Sequence, residues 1–458
     1  MKRRKNAVAM LITLAMAAIV VPSATAEAAP HAPSRTAGFA CVPTVEGPIA
    51  TTDASKPYTA VLQYDLPPGW VDEEYFVSCS SPAITYKTTV IVRKPETPRK
   101  ASGIVAVDPL HSAGLWGLMT LLQPYLVENG DVHIGVVASS GPLETFVKAS
   151  DPARYASLSI PTTPDAPNEV LAGVGALLHQ RPKALLGDIK FKDAILGGWS
   201  QTAVVTRTFI SSPQGRGTVD DKPLYDGYFP GQAAVGSSGG AQVQAIPDTK
   251  VPVVDLQGER ELLVTMAVYG NLAYRRRDSS TYRLYEVAGM SHVNNEPDNP
   301  VAAFGKSVMC EWPPGAIPSA FNQTQMWDMA FDNLVKWTSK GTPPPRAPRI
   351  KLEPDGKTVV RDANGNAVGG VRSVYVDVPT ATITPTSLAP GGVLSNPCAY
   401  VGYQLDFGPD KLAQSYGSHN GYVRQVTKDV KRLVKEGWLL PQAAREQIAA
   451  ARASNILT

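Results

Sequence analysis

The chain has 458 residues, 43% hydrophobic and 18% charged, enough apolar matter for a large packed core and too little charge for a disordered polypeptide. Its formal charge of +3 sits in the first residues, since losing the four cations Lys2, Arg3, Arg4 and Lys5 leaves −1. A near-neutral remainder without a Lys/Arg stripe argues against a nucleic-acid partner.

In chain order, the basic start and the uncharged run 7–21 form a signal peptide over residues 1–26, with small residues Ala24-Thr25-Ala26 at the cleavage site. The apolar run is shorter than the ~20 residues a membrane span needs. No cysteine stands at the cleavage point to carry a lipid, so no stable membrane anchor is expected and the protein is read as secreted. The Arg3-Arg4 pair lacks a bulky apolar residue at the usual following place, which favours the Sec route over the twin-arginine one. Residues 27–58 read as an N-terminal lead-in, rich in Ala, Pro and Ser as far as residue 40 and containing His31.

From there strand-like and helix-like runs alternate. The predicted strands are 59–64, 88–93, 103–108, 133–138, 194–198, 225–229, 252–257 and 282–287; several are continuous apolar runs, as strands covered on both faces should be. Predicted helices are 115–128, 169–179, 201–210 and 325–340. The pattern is that of an α/β fold with a mostly parallel central sheet of about eight strands and helices on both faces. Gly341-Thr342-Pro343-Pro344-Pro345 closes this region, defining a core over 59–345. The C-terminal extension, 346–458, is turn-rich, with a turn at Asp362-Ala363-Asn364-Gly365-Asn366, and ends in helices over 421–436 and 441–452.

Gly198-Trp199-Ser200-Gln201-Thr202 directly follows the apolar run Ala194-Ile195-Leu196. It reads as a strand that ends in a serine and turns at once into a helix, the elbow that raises a nucleophilic hydroxyl above an α/β-hydrolase sheet. Small residues are needed two before and two after the serine; Gly198 meets that need and Thr202 meets it imperfectly. Carboxylates follow at Glu259 and Glu261 and a histidine at His292, giving the chain order Ser, acid, His.

Serine at neutral pH needs a positioned base, and the base a partner that fixes its tautomer. His292, after the last apolar run, is the candidate base. His133 and His179 fall inside a strand and a helix, where packing explains them, and His419 lies in a turn beside Asn420-Gly421. Glu261, three residues after Gly258, is the preferred acid and Glu259 its rival; the competing account makes either a solvated loop charge paired with Arg260. Asp255 is read as structural and Asp226 as an outsider. For the oxyanion, one amide is expected from Gln201 and another from Ser112 or Ala113, in a loop where His111 shapes the chain or touches substrate, with plain packing the competing account. Trp116, Trp199 and Tyr228 are candidates for an apolar acyl pocket or for plain core. Gly236-Ser237-Ser238-Gly239-Gly240 lacks the lysine of a phosphate loop and reads as a flexible segment near the site.

Four cysteines, Cys41, Cys79, Cys310 and Cys398, favour disulfides in an exported chain, and pairing Cys41 with Cys79 and Cys310 with Cys398 is the least demanding of three choices. Their spacing does not suit zinc. No metal or cofactor is expected, and the partner is a small-molecule or polymer ester.

The chain resembles a bacterial family of α/β-hydrolase-domain proteins over most of its length. The resemblance is carried by Gly69-Trp70-Val71-Asp72-Glu73-Glu74-Tyr75-Phe76-Val77-Ser78, Asp151-Pro152-Ala153-Arg154-Tyr155, the Ser200 elbow, Tyr285-Glu286-Val287-Ala288-Gly289-Met290-Ser291-His292, Gly341-Thr342-Pro343-Pro344 and Gly369-Gly370-Val371-Arg372. It implies a serine hydrolase with Ser200 as nucleophile and His292 as base, and an extension packed on the core. The chain departs from the family's Trp-Leu-Asn with Pro109-Leu110-His111 and from its usual Asp with Glu261. The reading is an exported carboxylic ester hydrolase. An amidase, peptidase or thioesterase on the same triad, and a non-catalytic envelope-binding protein on the same scaffold, are the alternatives.

Overall fold

The structure is a computed structural model that describes residues 38–60, 65–233, 243–293, 310–387 and 396–458. The expected signal peptide, His31, most of the predicted strand 59–64 and the 236–240 segment lie outside them. The chain divides into two units, Met1–Val253 and Val254–Thr458.

In the first unit, seven strands, β1 (Thr44–Glu46), β2 (Trp70–Ser80), β3 (Thr85–Pro95), β4 (Ile104–Pro109), β5 (Val132–Val136), β6 (Asp193–Trp199) and β7 (Gly227–Gly231), lie in the spatial order β1-β2-β3-β5-β4-β6-β7. Neighbours among β5, β4, β6 and β7 are parallel, while β1, β2 and β3 form an antiparallel edge. Every residue of β4, β5 and β6 is buried, so both faces are covered, which is why these strands read as unbroken apolar runs. Helices Gly117–Asn129, Ala166–His179 and Gln201–Ser211 match the sequence expectation to within a few residues.

In the later part of the lead-in, β1 pairs with β2 and Cys41 is bonded to Cys79, which ties these residues to the sheet. Strand β2 escaped prediction because Asp72-Glu73-Glu74 interrupts its apolar pattern. Glu74 is nonetheless buried, accepting hydrogen bonds from Thr89 Oγ1 (2.9 Å), Tyr155 OH (2.9 Å) and Arg154 Nε (2.6 Å). Two segments that carry the family resemblance therefore meet in one buried polar cluster.

The chain passes from β4 to β5 on one side and then to β6 on the other. The carboxyl ends of β4 and β6 thus flank a topological switch point, where open α/β sheets form their crevices.

The second unit opens with neighbouring strands β8 (Val253–Gly258) and β9 (Tyr282–Val287) and the helix Glu259–Tyr269 between them, followed by the helix Thr324–Lys340. Residues beyond 345 attach to the end of β9: Val371 N donates to Glu286 O at 2.7 Å, Ala288 N to Val371 O at 3.0 Å, and Ile350 N to Glu286 Oε2 at 3.0 Å. The turn at Asp362 forms as expected, with Gly365 N donating to Asp362 O. A disulfide joins Cys310 to Cys398. The chain ends in helices Pro409–Tyr416, His419–Glu436 and Pro441–Ala453. His419 is the first residue of its helix rather than part of a free turn, because Ser418 caps that helix by accepting from Gly421 N at 3.1 Å. Among the described residues no helix is long and apolar enough to cross a membrane.

Candidate active site

Strand β6 ends at Trp199, and the helix that follows begins at Gln201, leaving Ser200 alone on the turn. Its backbone sits at φ 58° and ψ −119°, a left-handed conformation costly for a residue with a Cβ. The strain is held by neighbours: Ser200 N donates to Gly231 O at 3.0 Å on β7. A Cβ on Gly198 would lie 2.5 Å from the Thr202 carbonyl, so glycine is required there. Thr202 is tolerated because its hydroxyl serves the turn, accepting from Trp199 N at 3.0 Å and donating to Trp199 O at 2.9 Å. That accounts for the imperfect motif.

At the carboxyl end of β4 the chain forms a loop that reaches the start of the Ser200 helix. His111 Nδ1 accepts from Ala113 N at 2.9 Å, so His111 shapes this loop, and Ser112 N donates to Gln201 Oε1 at 3.3 Å, tying the loop to the first residue of the Ser200 helix. Behind it, Asp108 Oδ2 accepts from Leu118 N (2.8 Å) and Met119 N (3.3 Å), pinning the amino end of the helix Gly117–Asn129. His133 Nε2 lies 3.2 Å from Asp108 Oδ2 and His133 Nδ1 lies 3.2 Å from Arg93 Nη1, all fully buried. Burial pushes the His133 imidazole below its ordinary range despite Asp108. The sequence reading placed His133 correctly in the core and missed its polar partners. An aspartate closing an apolar strand just before a helix start was the available signal.

In the second unit Glu259 and Glu261 are not loop charges. Both lie in the first turn of the helix Glu259–Tyr269 and both are buried. Glu261 Oε2 accepts from Gly258 N at 3.0 Å, and its Oε1 lies 2.7 Å from His292 Nδ1 and 3.2 Å from Arg260 Nη1. Glu259 faces elsewhere: its Oε2 accepts from Gly289 N at 2.7 Å and its Oε1 pairs with Arg361 at 2.6 Å. Gly289, at φ 80°, makes the turn that leads from β9 to His292. Burial pushes the Glu261 carboxyl up, but the hydrogen bond and charge of His292, with Arg260 and the Gly258 amide, outweigh it and leave the group below its ordinary value. Burial is also the largest influence on His292, followed by the opposing pull of Glu261, and the imidazole lies below its ordinary value of 6.5.

The remaining candidates make contacts within the fold. Asp255 accepts from Tyr282 OH (2.7 Å) and Gln257 Nε2 (2.6 Å), and Asp226 Oδ2 accepts from Ala194 N (2.8 Å). His179 Nε2 meets Pro223 O at 2.8 Å. Trp116, Trp199 and Tyr228 are buried in the core, with Trp199 Nε1 donating to Gln232 Oε1 at 3.0 Å.

A left-handed serine between a parallel strand and a helix, beside a switch point, defines the α/β-hydrolase class of architecture. The chain belongs to the alpha/beta hydrolase domain family, which matches residues 45–449. Among solved structures it is similar to fungal esterases from Rhizomucor miehei (12% identity, covering 61% of this chain and 86% of that one, TM-score 0.33). It is similar also to a glucuronoyl esterase from Teredinibacter turnerae (10%, 54% and 74%, TM-score 0.27). A cold-adapted esterase from an Arctic intertidal metagenomic library is a third (12%, 48% and 85%, TM-score 0.26). A search of curated proteins finds no match.

Proposed function

We propose that this protein is an exported serine hydrolase of carboxylic esters, with Ser200 as nucleophile, His292 as general base and Glu261 as the acid that orients the base. The observation that carries the reading is the strained Ser200 elbow, since such a conformation persists only where the surroundings enforce it and is the one that a nucleophile elbow uses to present its hydroxyl. The buried Glu261–His292 pair supports it from the second unit. With Nδ1 committed to Glu261, Nε2 is the nitrogen that takes the proton.

In this reaction Ser200 Oγ bonds to the ester carbonyl carbon as its proton passes to His292 Nε2. The carbonyl oxygen becomes an oxyanion, held by the amide of Gln201 and by one from the loop after β4. Ser112 is the better of the two candidates, because its bond to the Gln201 side chain is long and solvent-exposed whereas the Ala113 amide is committed to His111. The C–O bond then breaks, the alcohol leaves with the proton from Nε2, and water releases the acid from the acyl-enzyme by the same route. The two disulfides and the signal-like first 26 residues support export. Residues 59–345 would then form the hydrolase core and 346–458 an extension of it.

Labelling the full chain with a fluorophosphonate probe tests this directly. A modified peptide containing Ser200, lost in Ser200→Ala and in parallel with turnover of short p-nitrophenyl esters, is the expected result. Unlabelled wild-type protein, or undiminished turnover in Ser200→Ala, would refute the assignment.

A further inference from the structure

The extension does more than cover the second unit, because one of its turns lies against His292. The Tyr400 ring centroid is 5.3 Å from that of His292 at an interplanar angle of 58°. The backbones are joined as well: Val293 N donates to Tyr400 O at 2.9 Å, and Val293 bridges Val401 in parallel register. On its other side Tyr400 lies under Arg260, whose guanidinium carbon is 4.8 Å from the ring centroid and whose Nε donates to Ala399 O at 2.8 Å. Arg260 in turn contacts Glu261, and Glu261 holds His292. Tyr400, Arg260, Glu261 and His292 thus form a closed ring of contacts, inside which His292 is only 2% exposed.

The turn is itself fixed. Cys398 is bonded to Cys310, Ser387 N donates to Cys398 O (3.0 Å) and Val401 O (2.7 Å), and Trp312 Nε1 donates to Ser387 Oγ at 2.7 Å. A covalent tether two residues from Tyr400 limits how far the ring can move from the imidazole.

We infer that Tyr400, carried on this disulfide-tethered turn, is a positioning residue that holds the His292 imidazole against Glu261 and keeps water from it. As a statement about catalysis the inference rests on the serine-hydrolase reading; as a statement about His292 it does not. Among the described residues, the titratable and charged groups facing His292 include Glu261 and Arg260 from the helix and Tyr400 from the turn, while Glu259 faces Gly289 and Arg361 instead. Removing the ring hydrates the imidazole and releases Arg260, and both changes favour the protonated form.

The test uses the full chain as wild type, Tyr400→Phe and Tyr400→Ala, with Tyr400→Leu standing in if the alanine variant does not fold. Histidine-selective NMR follows the His292 titration, its signal assigned by loss in His292→Asn, and kcat and KM are measured on p-nitrophenyl acetate. Tyr400→Ala should move the His292 midpoint upward by about one pH unit and lower kcat about tenfold with KM within about twofold. Tyr400→Phe, which restores the ring, should bring both readouts back. A midpoint unmoved in the alanine or leucine variant overturns the inference, as does a phenylalanine variant as damaged as the alanine one. If the wild type neither takes the fluorophosphonate nor turns over ester, the serine-hydrolase reading fails while the titration still decides what Tyr400 does.

Discussion

Glu261 and His292 meet at 2.7 Å, whereas Glu259, two residues earlier on the same helical turn, sends its carboxylate to the Gly289 amide and Arg361. Two glutamates that look interchangeable in the sequence therefore do different work, one orienting an imidazole and the other fixing the loop that carries it.

The first prediction separates them. Glu261→Gln offers His292 an amide that no longer enforces the tautomer or stabilises the imidazolium, so kcat for ester turnover should fall by about 10³–10⁴. Glu259→Gln leaves Arg361 without its charge partner and should cost about 1–3 kcal/mol of stability in urea denaturation, with a far smaller effect on kcat. Equal losses of kcat in the two variants would remove the distinction.

The elbow yields two substitutions that should move stability in opposite directions while both reduce activity. Ser200→Gly relieves the left-handed strain and should raise the unfolding free energy by about 1 kcal/mol while abolishing turnover. Gly198→Ala forces a methyl against the Thr202 carbonyl and should lower stability by about 1–3 kcal/mol, together with turnover. Thermal midpoints of the two variants moving in the same direction would contradict the strain argument.

On the proposed triad, the pH dependence of catalysis should follow from His292. Its imidazole lies below the ordinary 6.5, chiefly through burial, so the neutral base persists into mildly acidic solution. The acidic limb of kcat/KM should therefore have its midpoint below 6.5. A midpoint above that value would mean that the pull of Glu261 prevails over burial.

Stability should respond to pH in the same range. His133 and His292 both have folded-state values below the ordinary 6.5, so the unfolded chain takes up protons first as pH falls through that value. Their contribution is present above it and declines below it until the folded-state values are reached. Urea midpoints at about pH 7.5 and about pH 6 should show the lower stability at the lower pH. The reverse order would refute the argument.

The disulfides should differ in weight. Cys310–Cys398 spans 88 positions and Cys41–Cys79 spans 38, so the chain-entropy account gives about 4–5 and just under about 4 kcal/mol respectively. Paired Cys→Ser variants compared by urea denaturation should rank in that order.

The sequence by itself determined the local parts. Apolar runs placed β4 and β6, since strands buried on both faces leave no alternation to misread, and Gly198 before Ser200 marked the elbow because only glycine fits beside Thr202. Cysteine order left three pairings open, of which the least demanding is the one observed. Tertiary structure alone decided what depends on direction in space. Glu259 and Glu261 differ by a rotation about one helix axis, and nothing in their spacing reveals which of them meets an imidazole 31 positions away. The burial of the charged Glu74, Asp108 and Arg93 depends on partners distant along the chain. Tyr400 gave no local signal at all, because its place beside His292 is set by packing and by a disulfide closed across 88 positions of the sequence.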